Sequence, residues 1–77
     1  MWTLEIENVK SDVTEFTFDT YVRADNFLYS YMSARGLFDR HIGRMYATGE
    51  LIQESGELVF FTDDTDSFHA NYTITRR

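Results

Sequence analysis

The chain has 77 residues, no Cys, no Pro, and 13 acidic against 7 basic side chains, for a formal net charge of −6. Without Cys there is no disulfide, thiolate zinc site, iron–sulfur cluster or thiol nucleophile, and the acidity argues against direct nucleic-acid binding, which needs a basic patch. A hydrophobic content of 43% excludes a disordered acidic tail.

No apolar run approaches the ~18 residues of a membrane span. The start, Met1-Trp2-Thr3-Leu4-Glu5, lacks the basic and apolar regions of a signal peptide. The expectation is a soluble cytoplasmic protein of one α+β domain spanning residues 1–77, with no membrane partner. Charge is spread evenly, with three basic and six acidic groups in residues 1–38 and four and seven in residues 39–77.

The first segment alternates. Trp2, Leu4 and Ile6 fall on one face and Thr3, Glu5 and Glu7 on the other, which predicts a half-buried strand. Asn8 to Asp12 has turn composition. Val13 to Val22 then sets Phe16, Phe18 and Val22 against Glu15, Thr17 and Asp19, completing an antiparallel hairpin. From Ala24 to Arg35 the apolar residues Ala24, Phe27, Leu28, Tyr31 and Met32 follow helical spacing. Asp25 is the expected N-cap and Gly36 the C′ residue.

Residues 37–45 read as a return to the core through a polar connection containing His41. Arg44 to Gln53 reads as an irregular strand with a bulge at Gly49, and Glu54 to Glu57 as a hairpin turn in which Gly56 takes a positive φ. Leu58 to Thr62 is a short buried strand and Asp63 to Asp66 a turn. In the last strand Phe68, Ala70, Tyr72 and Ile74 alternate with Ser67, His69, Asn71, Thr73 and Thr75. The predicted order is β-β-α-β-β-β, one helix on an antiparallel sheet.

If the helix covers one sheet face, Glu5, Glu7, Glu15 and Asp19 gather on the other. Like charges on neighbouring strands oppose folding slightly. Their functional meaning is a negative patch for a basic surface, and Asp63, Asp64 and Asp66 would extend it. The Asp63-Asp64-Thr65-Asp66 turn lacks the glycine and closing Glu of a calcium loop, so no metal is expected there. His41 and His69 read as surface histidines, in a loop and on the outward strand face. Tyr29 faces away from the apolar helix stripe beside Asn26, Ser30 and Ser33, where it would anchor a partner. Tyr21 and Tyr46 are less well placed versions of it. Arg35, Arg40 and Arg44 could clasp an anion, but internal ion pairs are the better reading with Asp39 among them. Asn71-Tyr72-Thr73 matches a glycosylation triplet by chance.

No nucleophile–base pair and no cofactor motif appears, so neither catalysis nor a cofactor is expected. In size, charge and single-domain build the chain resembles the small inhibitors that bacteriophages direct against host machinery, anti-CRISPR proteins among them. That likeness is one of general character, rests on no motif and assigns no residue a role. It implies an acidic inhibitor that covers a basic nucleic-acid-binding surface of a protein partner, by steric and electrostatic competition. The alternative is a non-enzymatic homo-oligomeric or accessory subunit that assembles through an edge strand, with Phe68 to Ile74 as the candidate edge.

Overall fold

A computed structural model describes residues 1–60 and 67–77. Among these, five strands and one helix follow the predicted order: β1 (Trp2–Asn8), β2 (Val13–Phe18), α1 (Tyr21–Arg35), β3 (Leu37–Ala47), β4 (Glu50–Phe60) and β5 (Ser67–Arg76). The strands form a single antiparallel sheet in the order β2-β1-β5-β4-β3. The Asp63–Asp66 turn and the end of the predicted Leu58–Thr62 strand lie outside the described residues.

The β1–β2 hairpin closes on Asn8, whose Oδ1 accepts from the backbone N–H of Lys10 (2.9 Å) and of Asp12 (3.1 Å). Strand β2 ends at Phe18, four residues before the predicted Val22, because the helix starts earlier than the apolar spacing suggested. Thr20, not Asp25, is the N-cap: its backbone is extended and its side chain accepts from the Arg23 N–H at 3.2 Å. The two-residue link from Phe18 leaves no room for a later start. Gly36 ends the helix as expected, at φ 66° and ψ 35°, with its N–H on the Met32 carbonyl. Thr20→Ala is expected to cost about 1 kcal/mol of unfolding free energy in a urea titration. Thr20→Asp should cost nothing, because it restores the acceptor.

Only a narrow stripe of the helix is fully buried: Ala24, Leu28 and Met32, spaced by four. It packs on Leu4, Ile6, Leu58, Ala70, Tyr72 and Ile74 of the three central strands, with Leu37 closing one end. Each large aliphatic buried there contributes about 1.5–3 kcal/mol. The rings lie around this centre. Trp2 meets Tyr21 edge-on at 5.3 Å, and Phe27 lies between Phe16 and Phe18 at 4.5 and 5.4 Å.

The second half of the chain departs most from expectation. Residues 37–47 are one long strand, so His41 is in β3 and not in a loop. The β3–β4 turn is Thr48-Gly49, with φ 50° and 80°, between the paired residues Ala47 and Glu50. Two successive positive φ values suit the right-handed strand twist of a two-residue hairpin, which is why a glycine stands at 49. Gly49 is thus the turn and not a bulge. Gly56 is mid-strand and has no positive φ. The real bulges fall at His41/Gly43 and Met45/Tyr46 in the β3–β4 pairing and at Leu58/Val59 in the β4–β5 pairing. Strand β5 lies at the centre of the sheet between β1 and β4, so it is not an edge. The edges are β2 and β3. The β3–β4 hairpin outruns β5, whose pairing with β4 begins at Gln53, and the molecule is correspondingly long, 41 × 22 × 21 Å.

Candidate functional site

Helix α1 covers one face of the sheet, and no described element covers the other. Register fixes what stands on that open face, because directly opposed residues point the same way. One row crosses the sheet as Glu15, Glu5, Thr73 and Ser55. On one side of it runs Val13, Glu7, Asn71, Glu57 and Arg40, and on the other Thr17, Thr3, Thr75, Gln53 and Met45. The β1–β2 half of the face is therefore acidic, the centre is hydroxyl and amide, and β3 brings the cation Arg40.

Glu5, Glu7 and Glu15 thus share a face as the alternation predicted. Glu5 and Glu15 are direct cross-strand partners, about 5 Å apart at Cβ. Glu5 is bridged at 2.7 Å by Arg77, whose side chain starts two rows away and crosses the Thr3–Thr75 row. Thr3 is 4% exposed although it lies on the open face, consistent with that crossing. Glu7 and Glu15 have no ion-pair partner among the described residues. Glu57 is paired with Arg40 at 3.3 Å.

Other predicted members do not join them. Asp19 lies past the end of β2 and turns to Arg23 at 3.6 Å, one helical turn on, so it belongs to the helix start and not to the sheet face. Tyr29 is 67% exposed and lines a shallow open depression with Asn26, Ser30, Ser33 and Ala34. That depression is on the solvent side of α1, and the helix lies on the opposite side of the sheet from the glutamates. One flat partner cannot touch both. Asp63, Asp64 and Asp66 lie outside the described residues.

A polar network lies on the helix side, between the start of α1 and strands β3 and β4. Its centre is Glu54, 5% exposed. The Tyr21 hydroxyl donates to Glu54 Oε2, while Arg44 approaches Oε1 at 3.5 Å and His41 at 3.8 Å. Beside it the Tyr72 hydroxyl donates to Asp39 Oδ2 at 2.9 Å. Tyr21 is therefore half-buried and internally bonded, not a free anchor like Tyr29, while Tyr46 is 60% exposed. Burial first, then the neighbouring carboxylates, holds both phenols protonated well above the ordinary tyrosine range. They stay donors wherever the protein is folded at physiological pH. Desolvation, reinforced by Glu54 and Asp39, raises the Asp25 carboxyl. Desolvation also raises Asp39, against the opposing bond from Tyr72.

A pH dependence follows. Because folding raises these two carboxyl pKa values, the folded chain binds protons more tightly than the unfolded one. Stability should increase as pH falls from neutral through the raised folded values, and the gain is complete below the ordinary value of 3.8. Urea midpoints measured for wild type and for Asp25→Asn/Asp39→Asn isolate the contribution. The double variant should show the flatter profile over mildly acidic pH, and an unchanged slope would refute the assignment.

At the other helix end the last-strand bulge turns His69 toward α1. Ala70 pairs with Leu58 and Phe68 with Val59, leaving His69 as the extra residue. Its Nε2 lies 3.1 Å from the Tyr31 hydroxyl and its ring meets Phe60 edge-on at 5.2 Å, so it is not the outward surface histidine that strict alternation gives. Arg35 stacks over Tyr31, with its guanidinium carbon 3.7 Å from the ring centre. Arg40 and Arg44 form the internal ion pairs expected of them.

Among the described residues no three His, Asp or Glu side chains gather where they could hold a metal ion, and no helix is long and apolar enough to cross a membrane. The Glu54 network had one sequence signal: Glu54, Gly56 and Leu58 are spaced by two, the period of a strand face. The turn-like composition of residues 54–57 masks it. Compared with known proteins, the chain matches no family model, no curated protein and no solved structure.

Proposed function

We propose that this protein is a small protein-binding inhibitor whose acid-bearing open sheet face docks on a basic, nucleic-acid-binding surface of another protein. The observation that carries this reading is the juxtaposition of Glu5 and Glu15 on neighbouring strands, with Glu7 on the same uncovered face. Such a cluster slightly opposes folding. A cationic surface placed over it relieves that repulsion. The Arg77–Glu5 bridge is solvent-exposed and therefore worth little, so a partner's cation can replace it. Inhibition would come from occupancy: a rigid acidic sheet resting where phosphates would otherwise bind excludes the nucleic acid and competes for the same cations. The reading uses Glu5, Glu7 and Glu15. It releases Asp19 and Tyr29, which face elsewhere.

The test is charge reversal. Glu5→Lys/Glu7→Lys/Glu15→Lys should keep its circular dichroism and reduce capture of the partner from source-cell lysate by about 100-fold at low salt. Proteins recovered by wild type should release it when nucleic acid or salt is added. Equal capture by the triple variant would falsify the reading, as would a partner whose binding nucleic acid does not compete.

A further inference from the structure

We propose that the β3 edge is a self-recognition surface, through which two copies of the chain pair antiparallel into one continuous ten-stranded sheet. This inference is independent of the acidic face, which lies toward the other edge.

Strand β3 is eleven residues long, with one side of its backbone unpaired among the described residues, and carries three strongly exposed apolar side chains within five residues: Ile42 at 65%, Met45 at 55% and Tyr46 at 60%. A long edge with exposed apolar groups is a template for another strand. The second edge cannot serve in the same way. Strand β2 carries Glu15 and no basic residue, with Asp12 and Asp19 at its two ends, so two copies would bring like charges together with no cation on the strand to oppose them. Strand β3 alone of the two edges carries both signs, in Asp39, Arg40 and Arg44.

The bulge selects the register. Ile42 is the extra residue between His41 and Gly43, so the alternation of β3 reverses there. Leu37 and Asp39 share the helix-side face with Arg44 and Tyr46, while Phe38 and Arg40 share the open face with Gly43 and Met45. Opposed residues of an antiparallel pair must share a face, so the two halves of β3 can meet only in registers that respect this reversal. With the two-fold axis between His41 and Ile42, Asp39 of one copy opposes Arg44 of the other. Phe38 then opposes Met45 and Leu37 opposes Tyr46. Opposite charges meet, and the exposed Met45 and Tyr46 find apolar neighbours, while Ile42 opposes His41 at the axis. Shifting by one permitted step sets His41 against Arg44 and Asp39 against Tyr46, which loses the charge match. The strand is therefore complementary to its own reverse in one register, and this names a second copy as the occupant. The acidic β1–β2 halves end up at the two far ends, where the like net charges are best separated.

A single strand pair is a small interface, so association should depend on concentration. Sedimentation velocity of the full chain should show a mass rising from 9.1 kDa toward about 18 kDa as protein is concentrated. Ile42→Lys and Met45→Lys replace exposed side chains, so the monomer fold should survive, as the thermal melt will show. Each variant should weaken association at least tenfold. Asp39 and Arg44 are left unchanged because they also serve Tyr72 and Glu54. Amide exchange in concentrated wild type should show new protection along β3 that dilution or Ile42→Lys removes. A wild type that stays at 9.1 kDa throughout overturns the proposal, as do variants that associate like wild type. Protection appearing along β2 instead would also overturn it.

Discussion

Replacing Gly56 by alanine is expected to destabilise the protein by about 2–3 kcal/mol and to lower its melting midpoint by roughly 10–20 °C. The reason is contact, not backbone freedom. A Cβ at position 56 would stand 2.6 Å from Cε1 and 2.9 Å from Cζ of Tyr72, and 2.7 Å from Oδ1 of Asp39. The Tyr72 ring is 1% exposed and sits among Leu4, Leu58 and Ile74, so it cannot swing aside without displacing the core. The same ring directs its hydroxyl to Asp39, so any shift also strains a bond to a carboxylate that burial has already made costly to ionise. Calorimetry of Gly56→Ala, alone and with Tyr72→Leu, separates the mechanisms. With the ring removed, the alanine should cost less than half as much, because coupling of this kind belongs to residues in contact. An equal cost in both backgrounds would place the effect in the β4 backbone.

Glu54→Ala is expected to cost about 2 kcal/mol, and Glu54→Gln distinctly less. Glu54 is a buried acceptor holding the Tyr21 hydroxyl at the start of α1 and meeting Arg44 from the β3 edge. Truncation leaves Tyr21 half-buried without its acceptor, whereas Arg44, about half exposed, can turn to water. The amide of Gln still accepts from Tyr21. Removing the charge has a second consequence, since Glu54 is among the groups that raise Asp25 and Asp39. Both variants should therefore show a weaker gain in stability on acidification than wild type. Urea titrations at neutral and mildly acidic pH read both effects. A neutral or stabilising Glu54→Ala would mean that carboxylate repulsion outweighs the bonds Glu54 makes.

The two predictions concern residues that the sequence placed wrongly, and for one reason. Glu54-Ser55-Gly56-Glu57 has the composition of a turn, and Gly56 was the natural candidate for a positive φ. Composition reports what a residue tolerates, not which of several tolerated uses the fold makes of it. Glycine serves a turn, a bulge or a close approach of side chains. At 49 it serves the turn and at 56 the close approach, and only the Tyr72 ring, sixteen positions later in the chain, distinguishes them. His69 shows the same limit. Strict alternation puts it outward, and one bulge opposite Leu58 and Val59 turns it to Tyr31.

Where the pattern was long and undisturbed it was sufficient. Trp2 to Glu7 and Ala70 to Thr75 alternate without interruption, and each sits as read, because a slip by one residue would move a whole apolar set into water. The faces of Glu5, Glu7 and Glu15 were legible for the same reason. The placing of Asp19 and Tyr29 beside them was not. The first depends on where the helix begins, which Thr20 decides by capping Arg23. The second depends on the helix lying on the side of the sheet away from the glutamates.

The sequence by itself determined an acidic, cysteine-free α+β chain with one helix between two and three strands, and an acid-bearing face on its first hairpin. These follow from local periodicity and composition, which act over a few residues. The tertiary structure decided that β5 lies at the centre of the sheet and β3 at its edge, so that the strand expected to be available for pairing is enclosed. It also gathered Tyr21, Asp39, Glu54 and Tyr72 into one network. Strand order and such networks are set by which distant segments can bury apolar area together, and that competition is settled only when the whole chain packs.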